Sequence, residues 1–194
     1  YVLDFSRPEV VDYIHDSIYK VLSTAKIDYI KWDMNRSITE CGSAGWGPEH
    51  QGEIFHRYIL GVYSLYERLT HEFPNILFES CASGGGRFDP GMFYYAPQCW
   101  TSDDSDGGER LRIQYGTSLF YPAVVMGSHV SATPNHQTGN VTPIKFRFDM
   151  ACAGRLGMEL QPKQMTDTEK EFARRAIASY KEYRDIVMQG DLYR

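Results

Sequence analysis

Two short stretches place residues able to do acid–base or nucleophilic chemistry. In the first, an apolar run from Ile27 to Trp32 leads straight into Asp33, with Lys31, Asn35 and Arg36 close by in sequence. Strand alternation puts Tyr29, Lys31 and Asp33 on one side, and a nearby ammonium favours the ionised carboxylate and lowers its pKa. An ionised, oriented carboxylate is what a nucleophile or an oxocarbenium stabiliser must be. The plainer alternative is a strand-end ion pair of Asp33 with Lys31 or Arg36.

The second stretch is WTSDDSD, from Trp100 to Asp106. At least one of Asp104 and Asp106 is expected to do no more than start a helix, where negative charge suits the dipole. Asp103 shares alternation parity with Cys99 and Thr101 and is the first acid beyond the strand. Crowding by other acids, by Asp33 and by Trp100 should raise its pKa, as a general acid requires. Two carboxylates on separate strand ends, one ionised and one pushed towards neutrality, are the equipment of glycoside hydrolysis. Trp32, Trp46 and Trp100 could stack on apolar sugar faces, although Trp32, of opposite parity to Asp33, fits a core position equally well.

A third stretch, CASGGGRFDP from Cys81 to Pro90, follows another apolar run. Its three glycines let backbone approach a ligand closely and offer N–H donors to hydroxyls, or else form a flexible turn. Cys81 reads first as a small buried hydrophobe, because no basic residue beside it supports a thiolate. His129 and His136 stand in a loop-like region without metal-ligand spacing, so no metal and no cofactor is expected.

The elements that must position these residues alternate. Tyr1 to Phe5 reads as a short strand, and Ser6 and Glu9 have capping-box spacing ahead of a helix over 8–26 that starts with Pro8. Strands follow at 27–32, 76–80 and 98–102, then an apolar run at 123–127 and a strand at 156–160, six in all. Helices fall at about 53–69, 109–120 and 144–154, and a capping box of Thr166 and Glu169 opens a last one reaching about Gln189. Strands alternating with helices mean parallel βαβ units, and all three chemical stretches follow strand ends, where barrels and doubly wound sheets place their sites. The glycines of the third stretch lack the spacing of a dinucleotide-binding turn. Six units fall short of a whole (β/α)8 barrel, and a barrel lacking its first two strands fits the count.

Composition bounds the rest. The 194 residues are 42% hydrophobic, 14% aromatic and 23% charged, enough for one sizeable core, and a single domain is expected. A net charge of −5 with no basic run argues against nucleic acid or an anionic membrane surface as partner. No stretch approaches the roughly 18 apolar residues of a membrane span, and no signal peptide opens the chain. Scattered cysteines suggest reduced thiols and a cytoplasmic setting. The start at Tyr1, without methionine, suggests a piece of something larger.

Taken together, KWDMNR (Lys31 to Arg36), SCASGGGRFDP (Ser80 to Pro90), and WTSDDSD with ERLRIQYGT (Glu109 to Thr117) resemble the family 36 glycoside hydrolases, the α-galactosidases and their transglycosylating relatives. Nearly the whole chain fits, from VLDFSRP at Val2 to GRLGMEL ending at Leu160. The resemblance implies a (β/α)8 TIM barrel, here incomplete, about strands 3 to 8, with residues 1–194 as one catalytic portion. The N-terminal β-sandwich and the C-terminal β-domain would be absent. It implies retaining hydrolysis of terminal α-linked galactose, with Asp33 as nucleophile and Asp103 as acid/base. Lys31, Asn35, Cys81 and Gly84 match positions that line the galactose pocket. The implied partners are α-galactoside substrates, with a homo-oligomer in the full-length form. The alternatives are a non-catalytic carbohydrate-binding or structural half-barrel, and the same chemistry run as a transglycosylase or an α-N-acetylgalactosaminidase.

Overall fold

The computed structural model describes residues 2–35, 38–39 and 41–193. They form two compact units, Tyr1–Pro97 and Gln98–Arg194.

The first unit runs α1 (Pro8–Thr24), β1 (Tyr29–Asp33), α2 (Ile54–Glu72), β2 (Leu77–Cys81) and α3 (Pro90–Tyr95). β1 and β2 are parallel, with Lys31 opposite Glu79 and Asp33 opposite Cys81. Alternation in β1 follows the expected pattern. Tyr29, Lys31 and Asp33 are exposed, while Ile30 and Trp32 turn to the core. That core is built from Val11 and Leu22 of α1, Tyr58, Val62, Leu65, Tyr66 and Leu69 of α2, and Phe78 of β2. Trp32 packs on Tyr66, ring centroids 5.0 Å apart, as a half-buried residue set against this core.

The lead-in corrects two sequence expectations. Among the described residues there are five strands, not six, because Val2–Phe5 forms none; Tyr1 lies outside the described residues. Asp4 diverts the segment: its carboxylate accepts from the Ser6 amide at 3.1 Å and from the hydroxyls of Ser6 and Ser43. Phe5 then lies across α2, edge-on to Tyr58, 5.6 Å between centroids. The capping box of Ser6 and Glu9 does not form for the same reason. Ser6 Oγ donates to Asp4 and accepts from Trp46 Nε1, leaving Arg7 at the N-cap without a side-chain bond. Pro8 does occupy the first turn.

This close crossing requires glycine at position 61, where a Cβ would stand 1.8 Å from the Phe5 carbonyl oxygen. Gly61→Ala should therefore destabilise the fold by about 1–3 kcal/mol, although alanine is favoured over glycine within a helix by roughly 1 kcal/mol. Thermal unfolding of the two forms checks this, and an unchanged or raised Tm would count against the crossing.

The second unit runs β3 (Gln98–Trp100), α4 (Gly107–Ser118), β4 (Met126–Ser131), α5 (Ile144–Ala151), β5 (Arg155–Glu159) and α6 (Asp167–Gln189). β4 pairs in parallel with both β3 and β5. Val130, Phe148, Ala151 and Ala173 form its apolar core, with Leu156 and Phe172 packed against them. The capping box of Thr166 and Glu169 forms as expected. The fold class is α/β, with parallel strands alternating with helices. Among the described residues no helix is long and apolar enough to cross a membrane, and no disulfide joins the four cysteines.

Candidate active site

In the first unit the register of β1 and β2 brings the candidate residues together. Asp33 is the last residue of β1, exposed, and Oδ1 accepts a hydrogen bond from the Ser83 amide at 3.3 Å. The Met34 amide donates to the Cys81 carbonyl at 3.1 Å, which holds the two strand ends side by side. Burial pushes the Cys81 thiol up to about 11; the Gly84 amide bonded to its sulfur opposes this, and the hydrogen bond to Asp33 adds to it. Cys81 is therefore a neutral thiol at ordinary pH and not a nucleophile.

The loop after β2 is wound tightly. Ser83 has φ of 49° and Gly84 of 82°, both in the left-handed region. Glycine accepts this freely, whereas serine holds it at a cost. The strain turns the Ser83 amide onto Asp33, a role that the neighbouring glycines concealed in the sequence. Arg87, buried, secures the loop by donating from Nη2 to the Cys81 carbonyl at 3.0 Å. Asp89 caps α3 through bonds from the amides of Gly91 and Met92.

Lys31 lies beside the site, with its ammonium 3.6 Å from Glu79 Oε1. Glu79 is 2% exposed and also accepts from the Tyr29 hydroxyl. The cation expected to pair with Asp33 is thus engaged with a carboxylate on the adjacent strand. Sequence reasoning passed over Glu79, although a lone acid within an apolar strand was a signal. Asn35 is exposed just beyond β1, and Arg36 lies outside the described residues. Trp46 donates to Ser6, and the Arg57 guanidinium lies 4.1 Å from its ring centroid.

In the second unit β3 ends at Trp100, so strand parity does not extend to Asp103. Residues 101–106 instead wind into a turn through side-chain acceptors. Ser102 Oγ accepts from the Asp104 amide at 3.1 Å, and Asp104 Oδ1 accepts from the Asp106 amide at 3.0 Å. Asp106 Oδ1 caps α4 by accepting from Gly108 and Glu109. Burial works against the Asp106 anion, yet its bonds from the Glu109 amide, Thr138, Asn140 and the Gly108 amide hold its carboxyl below the usual range. Asp104 and Asp106 thus take the plain structural role foreseen for at least one of them. Asp103 is exposed and, among the described residues, has no hydrogen bond of its own.

Trp100 is 3% exposed, stacked on the His129 ring at 4.2 Å and covered by the Arg110 guanidinium. Enclosed in this way, Trp100 has no face for a sugar. Among the described residues no three His, Cys, Asp or Glu side chains are grouped to hold a metal ion.

Residues 1–190 match the melibiase family model. The chain belongs to the melibiase family. It is 54% identical over 193 residues to the α-galactosidase AgaA of Geobacillus stearothermophilus and 47% identical over 194 to α-galactosidase 1 of Pediococcus pentosaceus. In each case all of this chain matches 26% of the relative, so the chain spans about a quarter of these melibiase relatives' length. The crystal structure of AgaA superposes with a TM-score of 0.94, covering 97% of this chain and 26% of that one. An α-galactosidase from Lactobacillus brevis gives the same TM-score at 55% identity, covering 97% and 25% of the two chains.

Proposed function

We propose that this chain is the catalytic portion of a retaining α-galactosidase, its five strands a run of consecutive strands of a (β/α)8 barrel. The observation that carries the proposal is the state of the two acids. Asp33 is an exposed strand-end carboxylate oriented by the Ser83 amide, and Asp103 is the one acid of its turn not spent on winding it. A nucleophile must be held in one orientation, and an acid/base must be at liberty to exchange a proton with the substrate.

Asp33 attacks the anomeric carbon of a terminal α-linked galactose while Asp103 protonates the departing oxygen, which gives a β-galactosyl ester and the free acceptor. Asp103, now ionised, takes a proton from water. That water opens the ester and returns α-galactose. The Ser83 amide favours one orientation of the Asp33 carboxylate, which saves reorganisation in the transition state. Lys31, Asn35, Cys81 and Gly84 contact the galactose hydroxyls.

AgaA has been crystallised with raffinose in a variant carrying an aspartate-to-asparagine change, and with stachyose in one carrying an aspartate-to-alanine change. Replacing a catalytic carboxylate is a direct way to keep a substrate intact. Those two aspartates are as far apart in that chain as Asp33 and Asp103 are here, 70 positions (103 − 33). We therefore assign raffinose-type α-galactosides as substrates.

The test is to follow hydrolysis of an aryl α-galactoside by proton NMR, with this chain alone and with a form extended to the length of its relatives. α-Galactose as the first-formed anomer supports the assignment. β-Galactose first, or no turnover by either form, would overturn it.

A further inference from the structure

Arg110, on the second unit, is among the largest side chains that the fold buries completely, at 1% exposure. A guanidinium is costly to bury unless it is paired and hydrogen-bonded. Here Nη1 donates to Thr101 Oγ1 at 2.6 Å and Nη2 to the Ser102 carbonyl at 2.5 Å. The guanidinium carbon stands 4.0 Å from the Trp100 ring centroid. The Trp100 ring in turn stacks on His129, whose Nδ1 is 3.5 Å from Glu159 Oε2.

The fold makes room for this stack. A Cβ at Gly157 would stand 2.4 Å from the His129 ring, and one at Gly127 would stand 3.1 Å from Trp100. Burial lowers Arg110 to about 10, while the charges of Glu159, Asp104 and Asp103 hold it up. The groups bearing on it are thus Asp103 and Asp104 from the turn, His129 from β4 and Glu159 from β5. A hydrophobic side chain of similar volume could fill the same space without the desolvation cost.

We propose that Arg110 is a positioning residue for the acid/base: it clamps Thr101 and Ser102, the two residues before Asp103, and sets a buried positive charge within reach of that carboxylate. This rests on the assignment of Asp103 as acid/base. Asp103 has no hydrogen bond of its own among the described residues, so the backbone leading to it must supply the orientation. Arg110 does so with both arms of its fork, which a lysine cannot reproduce.

The experiment compares Arg110→Lys and Arg110→Gln with the unaltered protein at the length of its relatives, on raffinose and on a dinitrophenyl α-galactoside. Raffinose expels a poor leaving group and depends on protonation, whereas the aryl substrate does not. Arg110→Lys should lose about ten- to a hundredfold in kcat/KM on raffinose and far less on the aryl substrate. Arg110→Gln should show the same selective loss. Equal losses on both substrates, or an unchanged rate on raffinose, in either folded variant would refute the proposal. Should the glutamine variant not fold, the substrate ratio of the lysine variant decides. Asp103→Asn measured alongside separates the two questions. If it keeps full raffinose activity, the acid/base assignment itself has failed. If it is inactive while the arginine variants show no selective loss, only the role of Arg110 has.

Discussion

Asp33→Ala should lower kcat/KM on any α-galactoside by about 10⁴-fold or more, the scale on which enzymes lose rate with their covalent nucleophile. The fold should barely notice. Asp33 is exposed at the end of β1, and its removal leaves only the Ser83 amide without an acceptor. Such a loss costs about 1 kcal/mol, less where water can replace the acceptor. Because the defect is an absent nucleophile and an otherwise intact site, azide should restore turnover by entering the space left by the carboxylate. It attacks the face that Asp33 would have attacked, so the product should be β-galactosyl azide, formed in one step with inversion. The measurements are circular dichroism for the fold, rate, and product configuration by NMR. A variant that keeps even a tenth of its activity, or an α-azide product, would remove Asp33 from the mechanism.

Asp103→Ala should behave differently, and the contrast tests the division of labour. General acid–base help is worth about 10²–10⁴-fold. The loss should reach that range on raffinose, whose leaving oxygen must be protonated. With a dinitrophenyl leaving group the first step should proceed nearly unaided, and the galactosyl ester should accumulate because the base that activates water is missing. A burst of nitrophenolate followed by a slow steady state is then expected. Azide needs no base and should accelerate the second step, here giving α-galactosyl azide, the product of two inversions. Equal losses on both substrates, or a β-azide product, would argue against Asp103 as acid/base.

The two capping-box spacings show what local sequence can and cannot decide. Thr166 and Glu169 close their box because both partners lie within one turn and Arg147 takes the other carboxylate oxygen of Glu169, leaving Oε2 to Thr166. Ser6 and Glu9 have the same spacing, yet Ser6 is taken by Asp4 and Trp46, the latter 40 positions away. The alternation of Tyr29, Lys31 and Asp33 was legible because a strand repeats every two residues whatever lies beside it. That Lys31 would meet Glu79 depended on the register of the neighbouring strand, which a single segment does not specify.

The same division runs through the candidate site. By itself the sequence determined the α/β alternation, the two acid-bearing stretches at strand ends, the cap-forming acids after Trp100 and the family. Each of these is a matter of residue type, period or spacing along the chain. Tertiary structure decided that Val2–Phe5 crosses α2 and forms no strand, that the Ser83 amide faces Asp33, and that Trp100 is closed between His129 and Arg110. Those contacts join residues up to 56 positions apart, Phe5 and Gly61 (61 − 5), through packing and strand register, so nothing in the local pattern of either partner records them.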